Sequence, residues 1–214
     1  MENTINIGID LGTTNSAIAK FVKGDVIVFN NPLDYGRSTL PSVVYYKKDR
    51  IVVGNKAKEY LERDPKNVVG LFKRKMGTSE SFQIKSLNES KTPVDLSAQV
   101  LKELKTFVNT GDTLESIVIT IPASFDSIQS NATKEAGKQA GFKQVVLLQE
   151  PIAASLAYAD QVSKDIMAWA GQDNYAQTRT MPKFSINTED PSRWVPTPPD
   201  YMDGIEPNWI KMRT

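Results

Sequence analysis

Two residue types that carry much of protein chemistry are missing from this sequence, since its 214 residues include no cysteine and no histidine. Without cysteine there is no disulfide, thiolate metal site or thiol nucleophile. Without histidine there is no Ser-His-Asp triad and no histidine-ligated zinc. Any chemistry must therefore depend on carboxylates, lysine, hydroxyl groups and backbone amides.

Strong net charge and long apolar runs are also absent. The sequence has 26 Lys and Arg against 25 Asp and Glu, so its formal net charge of +1 gives no reason to expect nucleic acid or an anionic membrane as a partner. No stretch approaches the roughly 20 apolar residues of a membrane span. The first ten residues lack the basic region and apolar run of a signal peptide. We therefore expect a soluble, cytoplasmic protein.

The periodicity of apolar residues predicts a mixed α/β fold for the first 160 residues. Short strands joined by tight turns come first, and a strand–helix–strand–helix series follows, which predicts a mixed five-stranded sheet with flanking helices. Ile117–Ile121 is a β-branched run typical of a strand buried on both faces. The predicted sheet strands are 5–9, 16–22, 25–29, 117–121 and 145–148, and the predicted helices of this series are 127–140 and 152–158.

Between the strand meander and this series lies a mixed region. A hairpin is predicted from 41–46 and 51–53, and a short helix from Lys56 to Arg63. The segment Asp95-Leu-Ser97 is predicted to supply the N-cap of an amphipathic helix with apolar residues from Val100 to Val108.

The composition changes after about Asp160. All three tryptophans lie beyond this point, and the proline-containing run Trp194–Tyr201 cannot form a helix interior or a central strand. We interpret Gln161–Thr214 as an irregular tail, with one helix at 162–170 and extended chain after it. The tail is the product of a rearranged gene, a polyproline II recognition segment, or a segment that packs on the first domain.

The strongest chemical motif is the turn that follows the first strand. The strand ends in Asp10, and the turn contains Gly12, Thr13, Thr14 and Asn15. Glycine allows close approach of the backbone to a ligand, and successive amides in such a turn form a nest for phosphate oxygens. Asp10 is placed to meet a magnesium ion through water. The alternative is an ordinary hairpin with a polar turn.

Two further charged residues are candidates for the same chemistry. Lys73 follows an apolar pair and precedes Gly77, which suits a lysine held near phosphates, although lysine clusters usually lie on a solvated surface. Glu150 stands at a strand end directly before a helix. It could orient water or metal at a phosphoryl group, or simply be a glutamate favoured by the helix dipole.

Together the spaced motifs resemble the 70-kDa heat-shock protein (DnaK-type) chaperones over about residues 4–160. The agreement is specific because several motifs occur in the family's order. They are Gly8–Ser16, Gly36–Ser42, Lys73–Arg74 with Gly77, Ile119–Phe125, Ala132–Gly137 and Glu150–Tyr158.

The resemblance implies an α/β half-domain of the actin-like (ribonuclease H-like) ATPase fold. Residues 1–160 would be lobe I of the nucleotide-binding domain, with a small subdomain inserted at 32–95, and 161–214 would be an unrelated tail. The ligands would be ATP or ADP with Mg²⁺. The expected partners are unfolded-protein clients and nucleotide-exchange factors.

The same resemblance implies a role for each candidate residue. Asp10 would face the water shell of Mg²⁺, and Gly12, Thr13, Thr14 and Asn15 would surround the β- and γ-phosphates. Lys73 would contact the γ-phosphoryl group and the attacking water. Glu150 would hold the metal's waters. Pro122 resembles the family's switch proline, which relays nucleotide state.

The sequence departs from the family in three respects. Ser130 and Val146 replace two arginines, and valine cannot make the charged contact associated with J-domain co-chaperones, so their docking is doubtful. The family's second phosphate loop and lobe II are not among the 214 residues. We therefore expect a truncated lobe that binds ATP weakly and hydrolyses it poorly. The alternatives are a sugar-kinase fragment of the actin-like superfamily and a non-catalytic interaction scaffold.

Overall fold

The computed structural model describes residues 7–32, 36–108 and 114–171. The chain divides into two units, Met1–Ser155 and Leu156–Thr214. The strands are β1 (Ile7–Asp10), β2 (Asn15–Val22), β3 (Asp25–Val28), β4 (Leu40–Pro41), β5 (Val43–Lys47), β6 (Arg50–Val53), β7 (Val68–Gly70), β8 (Phe82–Ile84), β9 (Glu89–Lys91), β10 (Ser116–Ile121) and β11 (Gln144–Gln149). The helices are α1 (Asn55–Lys58), α2 (Tyr60–Arg63), α3 (Pro93–Lys105), α4 (Ser127–Gln139) and α5 (Glu150–Gly171), with a 3-10 helix at Phe72–Lys75.

The main sheet combines parallel and antiparallel strands. Its order is β11-β10-β1-β2-β3, and the two-residue strand β4 also pairs with β2. Strands β11, β10 and β1 are parallel, whereas β2 is antiparallel to β1 and to β3. The predicted mixed sheet of five strands is therefore confirmed, with β4 as a short sixth strand.

The core lies between this sheet and the helices that pack on it. Helix α3 packs against α4 and against β2, and α4 packs against β11. Burial along β10 alternates, because Ile117 and Ile119 are fully buried while Val118 and Thr120 are only partly so. The expectation that β10 is fully buried on both faces is thus wrong. Only one of its faces lies in the core, and the other carries a polar side chain at position 120.

A second cluster of apolar side chains belongs to a smaller sheet with the order β6-β5-β7. The hairpin of β5 and β6 is paired from Val44↔Val53 to Lys47↔Arg50, as the sequence predicts. The predicted helix at 56–63 is interrupted at Glu59 and forms the two short helices α1 and α2.

Helix boundaries follow their capping residues. Thr92 is the N-cap of α3 and forms a capping box with Asp95, so the predicted N-cap at Asp95–Ser97 is wrong. The reason is Pro93, which lacks an N–H and favours the first helical position. Helix α4 begins after Asp126, which forms a capping box with Gln129.

Helix α5 is continuous over Glu150–Gly171, where the sequence predicts two shorter helices. No glycine or proline separates Ile152 from Ala170, so nothing in this stretch ends a helix. No helix within the described ranges is long and apolar enough to cross a membrane. The predicted strand start at Ile5 and the proline-containing run Trp194–Tyr201 lie outside the described residues.

The hydroxyl group of Tyr46 gives a prediction about stability. This oxygen is buried and has no hydrogen-bond partner among the described residues, and an unpaired buried polar group costs about 1–3 kcal/mol. Burial, with a smaller contribution from the charge of Asp95, raises the pKa of Tyr46 to about 12. We expect Tyr46→Phe to raise the free energy of unfolding at neutral pH, as measured by urea denaturation.

The pH dependence of the same variant has a definite sign. Because the folded pKa of Tyr46 exceeds the ordinary tyrosine value of 10.0, the unfolded chain loses this proton first as the pH rises. The wild-type protein therefore loses stability between about pH 10 and 12, and Tyr46→Phe should lose less. Tyr158→Phe, at a tyrosine that is 72% exposed, is the control. Equal stability of the wild type and Tyr46→Phe across this range would contradict the prediction.

Candidate functional site

Polar side chains meet at one edge of the main sheet because three neighbouring strands run parallel and end there. The register pairs Ile9 with Ile119 and Ile121 with Gln149. Asp10 therefore lies beside Thr120, and Glu150 follows directly at the end of β11. The Oγ1 hydroxyl of Thr120 donates to Oδ1 of Asp10 at 2.9 Å, and Asp10 is exposed. One carboxylate is thus oriented by the next strand and open to solvent.

Lys73 reaches this edge from the 3-10 helix. Its side chain is only 5% exposed, and its Nζ atom donates to Oε1 of Glu150 at 3.1 Å. The same atom lies 5.6 Å from the centre of the Phe125 ring, within cation–π range. By contrast, the neighbouring Lys75 pairs with Glu80 at the surface. Lys73 is therefore not part of a solvated cluster, and it forms an ion pair with a residue 77 positions away.

The local sequence explains why Lys73 points inward. Phe72 and Met76 are buried on either side of it and fix the 3-10 helix to the core. Gly77 has a φ of +78°, and a Cβ atom there would lie 3.0 Å from the backbone of Gln129. Glycine therefore allows the chain to turn away against the start of α4 directly after the lysine segment.

The turn between β1 and β2 also requires glycine. A Cβ atom on Gly12 would fall on the carbonyl oxygen of Asn15, far inside van der Waals contact. The Gly12 N–H donates to Oγ of Ser16 at 3.1 Å, so this amide is already paired within the turn. Thr13 is half-buried, whereas Thr14 and Asn15 are exposed.

The structure brings some predicted residues together and adds others that the sequence reasoning missed. The edge formed by β1, β10 and β11 carries Asp10 and Glu150, and Lys73 reaches this edge from the 3-10 helix. The Gly12–Asn15 turn follows β1. Thr120 and Phe125 lie within the Ile119–Phe125 motif, but the sequence analysis assigns neither a role. For Thr120 a further signal was its hydroxyl group within a run of otherwise apolar residues.

The residues that depart from the family pattern can also be placed. Ser130 lies on α4 and is half-buried, and Val146 lies on β11 with 39% of its surface exposed. Pro122 follows directly after β10, and its carbonyl accepts a hydrogen bond from the Phe125 N–H at 3.1 Å. The loop after β10 thus connects the candidate switch proline to the aromatic ring beside Lys73.

The donor set suits a hydrated Mg²⁺ ion held through phosphate. Among the described residues no three acidic side chains converge as a metal cage. Magnesium does not need one, because it usually keeps several waters and binds one or two carboxylates together with substrate phosphates. The exposed carboxylate of Asp10 fits that requirement.

The fold is that of an actin-like ATPase half-domain, in which a mixed sheet carries the Gly12–Asn15 turn and the carboxylates of Asp10 and Glu150 at one edge. Residues 6–167 match the profile of the family described as Hsp70 protein, and the chain belongs to this family. The match extends past residue 160, where the motif resemblance ends.

Curated relatives agree with this family. The chaperone protein DnaK of Mycoplasmopsis agalactiae is 41% identical over 168 residues, which cover 77% of this chain and 27% of that protein. DnaK of Mycoplasmoides gallisepticum is 42% identical over 160 residues, covering 73% and 26%. DnaK of Ureaplasma urealyticum is 42% identical over 168 residues, covering 77% and 27%. The chain thus spans about a quarter of the length of the curated relatives it matches.

Proposed function

We propose that this chain is the ATP-phosphate-binding lobe of a chaperone-type ATPase and that it binds Mg-ATP or Mg-ADP at the carboxyl edge of β1, β10 and β11. The observation that carries the proposal is the position of Lys73. A lysine from a distant segment is buried there and pairs with Glu150 at 3.1 Å, on the edge that also carries Asp10. A cation and two carboxylates at one edge of the sheet, together with the glycine-containing turn after β1, are what a metal-bound polyphosphate requires.

Each residue has a distinct role in this proposal. Asp10 would hold Mg²⁺ through water, and the ion would neutralise phosphate charge. The side chains and amides of Thr13, Thr14 and Asn15 would bind phosphate oxygens. Gly12 contributes by permitting the turn, since its own amide is paired with Ser16.

Lys73 and Glu150 would act on the terminal phosphoryl group. The ammonium has three N–H donors, and the bond to Glu150 uses one of them. The remaining two can bind a phosphate oxygen and the attacking water. Glu150 is 42% exposed, so its carboxylate can also accept hydrogen bonds from waters of the metal. Positioning and charge neutralisation supply most of the catalysis in this class of reaction.

The 214-residue polypeptide should bind nucleotide weakly and hydrolyse it slowly. The phosphate contacts proposed here come from one side of the ligand, so solvent reaches its other side. The interaction energy of each pair of charges therefore falls toward its value in water, about 1 kcal/mol at 4 Å. Binding of unfolded clients and nucleotide-exchange factors in the cytoplasm follows from the family and is part of the proposal. The apolar Val146 argues against docking of J-domain co-chaperones. Family membership favours the chaperone class over a sugar kinase.

Titration calorimetry with Mg-ATP tests the binding site. Lys73→Ala and Asp10→Asn are each expected to weaken binding about tenfold, which corresponds to about 1.4 kcal/mol for a lost charge-assisted contact. Lys75→Ala is the matched control, because it removes a lysine from the same 3-10 helix, and this lysine pairs with Glu80 at the surface. It should leave the affinity unchanged.

Two outcomes would contradict the proposal. If the folded wild-type chain shows no affinity for Mg-ATP at millimolar concentration, the lobe is a non-catalytic interaction scaffold instead. If Lys73→Ala and Lys75→Ala weaken binding equally, the effect is one of general charge and not of a site.

Titration of ATP with EDTA present tests the requirement for magnesium. The affinity should fall when the ion is removed, as a magnesium-dependent site requires.

A further inference from the structure

Two serines from different segments meet beneath the turn that connects β1 to β2. Ser16 lies on β2 and Ser42 lies between β4 and β5, and each is only 1% exposed. Their Oγ atoms are 3.0 Å apart. Buried hydroxyl groups are stable only when their hydrogen bonds are satisfied, so the partners of this pair are informative.

The hydroxyls form a closed ring of hydrogen bonds with Gly12. The Gly12 N–H donates to Oγ of Ser16 at 3.1 Å, and Oγ of Ser42 donates to the Gly12 carbonyl oxygen at 2.7 Å. A hydroxyl has only one proton to donate. Ser42 has used its proton on Gly12, so the bond between the serines must be donated by Ser16. Every donor in the ring then has one acceptor.

A second set of backbone contacts holds the far end of the same turn. The Ser42 N–H donates to the carbonyl oxygen of Thr14 at 2.8 Å. Strand β4 pairs with the start of β2 through Asn15↔Pro41 and Ser16↔Leu40. Ser42 therefore contacts the turn at two points, Gly12 and Thr14.

We propose that Ser16 and Ser42 are positioning residues that set the geometry of the phosphate-binding turn without touching the nucleotide. This inference rests on the proposed function. A turn that is already fixed loses little conformational freedom on binding, and its donors need no reorganisation around the phosphates. When the ring is broken, the ligand must order the turn, and that cost appears as lost affinity.

The test compares Ser42→Ala and Ser16→Ala with a matched control, Ser97→Ala. Ser97 is also a fully buried serine, but its Oγ has no hydrogen-bond partner among the described residues. Mg-ATP affinity is measured by calorimetry under conditions in which circular dichroism shows each variant to be folded. Ser42→Ala and Ser16→Ala should each weaken binding about five- to tenfold, and Ser97→Ala should bind as the wild type does.

Amide hydrogen exchange followed by NMR separates positioning from general stability. The Gly12 amide should be protected in the wild type, although it lies in a turn. Ser16→Ala removes its acceptor and should accelerate exchange at this amide. Ser42→Ala leaves the acceptor in place and should accelerate it less. Amides elsewhere in strand β1, such as that of Ile9, should exchange as in the wild type in both variants.

The outcomes separate this inference from the function on which it rests. If the wild type fails to bind Mg-ATP, the proposed function fails, and the positioning role falls with it. If the wild type binds but Ser42→Ala and Ser16→Ala match Ser97→Ala in affinity, only the positioning role is overturned. Faster exchange spread evenly along β1 and β2 would also overturn it, because that pattern indicates destabilisation of the whole sheet.

Discussion

Gly12→Ala is expected to lower the free energy of unfolding by about 3 kcal/mol, at the upper end of the range for an overpacked site, and to abolish detectable binding of Mg-ATP. The new Cβ atom would fall on the carbonyl oxygen of Asn15. A backbone oxygen cannot rotate away as a side chain can, so the whole turn must open. Opening it would break the hydrogen bonds of Gly12 with Ser16 and Ser42 at the same time.

Two other glycines provide graded controls for this prediction. A Cβ atom on Gly8, in the same strand region, meets no atom within 4 Å, so Gly8→Ala should be neutral or slightly stabilising. A Cβ atom on Gly137 would lie 2.7 Å from Cγ2 of Val145, a side-chain atom that can shift. In urea denaturation, the loss in the free energy of unfolding should therefore be largest for Gly12→Ala, smaller for Gly137→Ala and smallest for Gly8→Ala. A Gly12→Ala protein as stable as Gly8→Ala would refute the steric argument.

The sheet was largely predictable because its determinants are local. The alternation of Ile5, Ile7 and Ile9 with smaller or polar residues identifies β1, and the β-branched run at 117–121 identifies β10, without any knowledge of the fold. The positions of Asp10 and Glu150 also follow from local order, since each stands where a strand ends. Once β1, β10 and β11 are parallel, their carboxyl ends must lie at one edge.

The contacts that complete the site were not predictable from periodicity. Lys73 and Glu150 are 77 residues apart, and no sequence periodicity indicates that these two side chains form a pair. Ser42 is 30 residues from Gly12, and a hydrogen bond between them depends on how β4 pairs with β2. Such contacts are set by tertiary packing, whereas propensity and alternation describe only neighbours in sequence.

Removing the carboxylate of the Lys73–Glu150 ion pair should have the second large effect on the free energy of unfolding. Glu150→Ala would leave the ammonium of Lys73, in a side chain that is only 5% exposed, without its acceptor. An unpaired buried charge costs several kcal/mol when both partners are enclosed, but Glu150 is 42% exposed, so we expect a loss of about 2 kcal/mol in the free energy of unfolding. The Phe125 ring supplies only a weak substitute at 5.6 Å.

A double-mutant cycle tests whether the loss comes from the unpaired lysine. Lys73→Met replaces the ammonium with an apolar side chain of similar length, and Glu150 can then be hydrated from its exposed side. Lys73→Met should therefore destabilise the protein less than Glu150→Ala does. The double variant should recover most of the stability that Glu150→Ala loses, because no charge is then left buried.

The response to salt distinguishes the Lys73–Glu150 pair from an ion pair at the surface. Lys75→Ala and Glu80→Ala provide the matched double-mutant cycle for a surface pair. Lys75 and Glu80 are each about half exposed and lie 2.7 Å apart, so their coupling should be below about 1 kcal/mol and should fall further in 1 M salt. The coupling of Lys73 with Glu150 should change little, since only 5% of the Lys73 side chain is exposed. If both couplings fall equally in salt, Lys73 is in contact with bulk solvent. The burial of Lys73 would then no longer support the proposed phosphate-binding site.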